Sequence, residues 1–230
     1  MANTKTTQNA AEQQPVFNQK EAFVLKYKNA LIACVAVIII AVLAIVFFKN
    51  NAAKKQVAAS AEMSVAESLF AMAVQTNDSV SFARCLGDSL GNGGFLEVVD
   101  KYGSTDAGKT AKLYAGLCYA HMGQWQEAVN YLEKYSDAGD QMISKAAMGA
   151  LGNAYAHLEQ FDKAVETLKK AAEKADNNSL SPLFLVQAGE ILENQGKKAE
   201  ALKLYQQVKE KYVGWAQYQL IDQYIQRATE

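Results

Sequence analysis

The sequence predicts an all-α protein: one N-terminal transmembrane helix, then a solenoid of paired helices closed by a C-terminal capping helix. Three observations carry that expectation. Residues 30–48 form an unbroken apolar run, the rest is rich in helix formers with two prolines in the whole chain, and three later stretches resemble one another.

Residues 1–28 are expected to be a disordered, cytoplasmic tail, because the first 19 are rich in Asn, Gln, Thr and Ala with few large apolar groups. The span is assigned to residues 29–49. Its core, ALIACVAVIIIAVLAIVFF, has 19 residues without a charge, an amide or a glycine. At about 1.5 Å per residue it nearly matches an apolar slab of roughly 30 Å. Lys26, Lys28 and Lys49 bracket it and can reach the headgroups. A cleaved signal peptide would carry a shorter apolar region of about 7–15 residues close behind a basic start. Leu31-Ile32-Ala33-Cys34 has the look of a bacterial lipobox, yet Cys34 stands near the start of the apolar run instead of following it. Charge does not orient the span: Lys20, Lys26 and Lys28 on one side face Lys49, Lys54 and Lys55 on the other.

Residues 50–108 are expected to hold a connecting helix and a degenerate first repeat. Lys54 to Gln75 reads as a helix continuing from the span. Phe82 to Leu86 and Phe95 to Tyr102 are shorter helical pieces around GDSLGNGG. Cys85 and Cys118 are the two cysteines outside the span, too few for a disulfide scaffold; they read as buried thiols, with a bridge between them in an oxidising compartment as the alternative. Residues 51–230 carry 18 basic and 22 acidic groups, a mildly acidic balance with no basic stripe for nucleic acid.

The repeats are assigned to residues 109–215. They align on Ala128, Ala164 and Ala201, as GLCYAHMGQWQEAVNYL, GNAYAHLEQFDKAVETL and GEILENQGKKAEALKLY. Twelve residues before each alanine stands Gly116, Gly152 or Gly189; four after stands Leu132, Leu168 or Tyr205. Small residues at a helix crossing permit close approach, and the large residue fills the space beside them. The third copy departs from the pattern at Leu192 and Lys198 and is expected to pack more loosely. Residues 216–230 supply the cap, with Leu220, Ile221, Tyr224 and Ile225 on its apolar side.

These segments resemble the tetratricopeptide repeat, in which a small residue and an aromatic on helix A meet an aromatic, an alanine and a large residue on helix B. The resemblance implies a partner-binding concave face made by the A helices. Carried over by register, that face comprises Thr110, Leu113, Leu117 and His121 in the first copy. It continues with Gly149, Asn153 and His157 in the second, and Leu183, Val186, Glu190, Glu193 and Asn194 in the third. The competing reading is that several of these pack between repeats.

Chemistry is sparse. GSTDAGKT, Gly103 to Thr110, fits the phosphate-loop pattern G-x-x-x-x-G-K-[ST], which would place Lys109 on phosphates and Thr110 on magnesium. That loop needs a strand before it and a sheet behind it, whereas helical repeats follow here. In the repeat register Gly103 suits a left-handed helix end, and Ser104, Thr105 or Asp106 suits the next N-cap. His121 and His157 are the only histidines and lack companion ligands at zinc spacing. No catalytic residues, metal, cofactor or small-molecule substrate are expected, and the chain does not read as an enzyme.

A short tail, one span and a repeat domain also resemble the single-pass ancillary subunit of the bacterial Sec translocon. That resemblance implies an inner-membrane protein with a cytoplasmic N-terminus and a periplasmic repeat domain. Its partners would be translocon subunits, a membrane-anchored prolyl isomerase chaperone or exported clients. An envelope or cell-division scaffold or sensor anchor would use the same architecture, so the partner alone separates these readings.

Overall fold

The computed structural model describes residues 17–87, 93–135 and 141–230. Residues 1–16 of the expected tail, and most of GDSLGNGG, lie outside them. The described residues form ten α-helices: α1 (Phe17–Thr76), α2 (Ser79–Leu86), α3 (Phe95–Tyr102), α4 (Asp106–His121), α5 (Trp125–Glu133), α6 (Gln141–His157), α7 (Phe161–Ala175), α8 (Ser181–Asn194), α9 (Lys198–Lys211) and α10 (Ile221–Thr229). A single 3₁₀ turn, Tyr218–Leu220, leads into α10. The chain divides into two compact units, Met1–Asn51 and Ala52–Glu230.

In the first unit residues 17–28, the described part of the expected tail, are helical and belong to α1. They contain neither glycine nor proline, and extending an existing helix by a turn costs far less than nucleating one. The apolar stretch exposes its side chains all round, including Ile40, Phe47 and Phe48. By length and composition this helix can cross a membrane.

In the second unit three helix pairs follow one plan: α4 with α5, α6 with α7, and α8 with α9. The register alanines Ala128, Ala164 and Ala201 are fully buried. The register glycines explain the closeness of each pair. A Cβ on Gly116 would stand 2.7 Å from Leu132 Cγ, one on Gly152 2.7 Å from Leu168 Cγ, and one on Gly189 2.3 Å from the Tyr205 ring. Both positions therefore meet across the crossing, as their spacing suggests. The third pair is not loose. Leu192 and Tyr205 are buried in the cluster that also takes in Val208, Trp215 and Ile221 from the C-terminal side.

The turn between helices A and B is the same in each pair. Gly123 (φ +72°), Glu159 (φ 58°) and Gly196 (φ +74°) adopt left-handed backbone five residues before each register alanine. The following amides, Gln124, Gln160 and Lys197, donate back to the carbonyls of Tyr119, Tyr155 and Leu192 at 2.9, 3.0 and 2.8 Å. This closes the orphan carbonyls of helix A and sets the reversal.

Upstream, the end of α1 and α2 repeat the plan in degenerate form. Ala73, Phe82 and Cys85 are buried and hold the spacing of Gly116, Trp125 and Ala128. Phe70 packs edge-on to Phe82, Phe95 and Tyr114, which joins this pair to α3 and α4. Cys85 and Cys118 are free thiols within the same cluster.

Candidate functional site: a concavity between α6 and α8

The last residue of helix A and the first aromatic of the preceding helix B meet at the first two junctions. His121 stacks on Phe82 with centroids 4.2 Å apart and planes 7° from parallel. His157 stacks on Trp125 at 3.7 Å and 1°. Burial pushes the ionisation of His121 down, so the neutral ring is favoured there. At the third junction the equivalent residues are Phe161 and Asn194. A carboxamide replaces the imidazole, and Phe161 has no ring partner among the described residues.

The space thus left is a concavity of about 390 Å³. Asn153, Ala156, His157 and Phe161 form one wall, from α6 and the start of α7. Gln187, Glu190, Ile191 and Asn194 form the other, along one stripe of α8. It holds one carboxylate and neither lysine nor arginine. The side-chain oxygen of Gln187 is buried without a hydrogen-bond donor.

Four of the residues carried over by register, Asn153, His157, Glu190 and Asn194, therefore share this site. Others do not. Leu113 and Val186 are buried between helices, and Gly149 lies against Phe184, whose ring a Cβ would meet at 2.2 Å. Leu117 is half-buried against the cluster around Ala128. Thr110 donates its hydroxyl to the Asp106 carbonyl at 3.0 Å. His121 is the stacked ring described above. Leu183 is exposed and borders a separate depression with Trp215. Glu193 turns toward α9 and α10. It accepts from the Tyr205 hydroxyl at 2.6 Å and from the Arg227 guanidinium at 2.6 Å. The Arg227 contact, then that of Tyr205, holds its carboxyl below the ordinary range.

Phe161, Gln187 and Ile191 also line the site, outside the face expected from the register. The signal was present, because residues 187, 190, 191 and 194 fall on one helical stripe. It was hidden because Phe161 serves the repeat pattern as a packing residue.

The phosphate-loop match sits in a different setting. Helix α3 precedes it, and Thr105 caps α4 by accepting from the Gly108 amide at 3.1 Å. Lys109 pairs with Asp106 at 2.9 Å. Gly103 is right-handed, φ −55°, which corrects the left-handed expectation. The requirement for glycine falls instead on Gly108, where a Cβ would stand 1.9 Å from the Tyr102 carbonyl oxygen. Close passage of α4 over the end of α3 selects that residue. Among the described residues no group of three or more His, Cys, Asp or Glu is placed to hold a metal.

A family model described as "T7SS, ESX-1 secretion system protein EccA1, N-terminal domain" matches residues 53–220. The chain belongs to this family. The matched stretch contains α2 to α9, and so the concavity, and stops short of α10. No curated protein matches the chain.

Proposed function

We propose that the protein is a non-catalytic, membrane-anchored scaffold that serves protein export through its repeat domain. The single observation that carries this reading is membership of a family named for a secretion-system protein, in a chain whose N-terminal helix is apolar enough to anchor it. In this reading the N-terminus is cytoplasmic and the repeats lie in the periplasm. They bind Sec translocon subunits, a membrane-anchored prolyl isomerase chaperone or exported clients. The family's own name favours a second reading, service to a type VII system. Affinity purification of the full chain from crosslinked membranes separates the two. Translocon subunits or a periplasmic folding factor are the expected catch, and type VII components would select the second reading. Recovery of neither would overturn the export role.

A further inference from the structure

We propose that the concavity between α6 and α8 receives a guanidinium group, an arginine side chain presented by a partner polypeptide. The proposal deepens the scaffold reading and rests on it. The first two junctions fill this position from within, by stacking an imidazole on an aromatic ring. The third junction breaks that ladder with Asn194, so Phe161 faces the concavity without a ring against it. What replaces the missing ring should be flat, and the walls specify its charge. Glu190 supplies the only carboxylate of the lining, with no lysine or arginine beside it there. A planar cation with several N–H donors answers both demands. It stacks on the ring of Phe161 and donates in its own plane to the Glu190 carboxylate on α8. An ammonium group is a point charge and would leave the ring face unused.

The test uses the full chain in neutral detergent with its isoleucine methyl groups labelled, since Ile191 lines the concavity. The probes are three blocked pentapeptides, identical except for arginine, lysine or citrulline at the centre. The arginine peptide is expected to shift the Ile191 signal and to bind about tenfold more tightly than the citrulline peptide. Asn194→His completes the stacking ladder, so it should keep or raise the melting temperature and weaken arginine-peptide binding about tenfold. Glu190→Gln should weaken it about fivefold or more without loss of fold. Equal binding of arginine and citrulline peptides, or undiminished binding by a folded Asn194→His variant, overturns the proposal. Membrane capture by Asn194→His at wild-type level would likewise sink the pocket while leaving the scaffold role intact. Selective arginine binding by a chain that captures no export component would sink the scaffold role alone.

Discussion

Glu193 was placed by register on a binding face, yet its chemistry belongs to the end of the molecule. Its carboxylate accepts from Tyr205 of α9 and Arg227 of α10, so one side chain ties three helices together. Because the folded carboxyl is held below its ordinary value of 4.5, its stabilisation is complete above that pH. It is lost as pH falls below 4.5 toward the folded value. Glu193→Ala also leaves the buried Tyr205 hydroxyl without an acceptor and should cost roughly 1–2 kcal/mol at pH 7. Melting curves of wild type and variant should differ most at pH 7 and narrow as pH falls below 4.5, without closing fully, since a protonated Glu193 still accepts from Tyr205. A gap that stays constant with pH would show that the ion pair contributes nothing. Spacing could not have exposed this role, because the register aligns Glu193 with neighbours but not with a charge 34 residues away. The capping of α4 was legible at this scale, since Thr105 was one of three candidates. The need for glycine at 108 was not, because it depends on the approach of a carbonyl from another helix.

At the scale of elements, the helix pairs were legible because their glycines, alanines and large residues are the contacts themselves. Each crossing is written twice, once at minus twelve and once at plus four, and the structure brings those two positions together. The helicity of residues 17–28 was not legible, because composition describes the preference of a free segment and not the extension of a helix already formed. The degenerate first pair was readable only in outline, since alanine and cysteine replace the glycine and alanine of the later copies. The A–B turns yield a further prediction. Two of the three left-handed positions are glycine, whereas Glu159 holds φ 58° with a side chain. A left-handed L-residue costs about 1–2 kcal/mol, part of which glycine returns through its greater freedom when unfolded. Glu159→Gly should therefore stabilise the full chain by about 0.5–1 kcal/mol. Urea unfolding followed by circular dichroism would measure it. A drop in midpoint would mean that the Glu159 side chain carries an interaction outweighing the backbone gain.

Across the whole molecule, the buried residues of the second unit fall into three clusters, each built by neighbouring helices. Such an array is stabilised pair by pair, so its end must be covered by an element with a polar outer face. Helix α10 meets that need. Ile221 and Ala228 are buried against the last pair, Tyr224 packs beside Tyr205, and Asp222 and Arg227 reach out to Lys209 and Glu193. The family match ends at residue 220, so the cap lies beyond the matched part. A chain stopped after Gln217 would expose the apolar surface that α10 covers. Nearest-neighbour coupling then predicts a graded loss: amides of α8 and α9 should exchange about tenfold faster or more, while those of α4 and α5 change little. Hydrogen exchange read by mass spectrometry on full-length and shortened chains would test this directly. Equal loss of protection in all three pairs would mean that the second unit unfolds as one cooperative body. The concavity on α8 would then depend on the integrity of the entire repeat domain, and not only on the helices that form its walls.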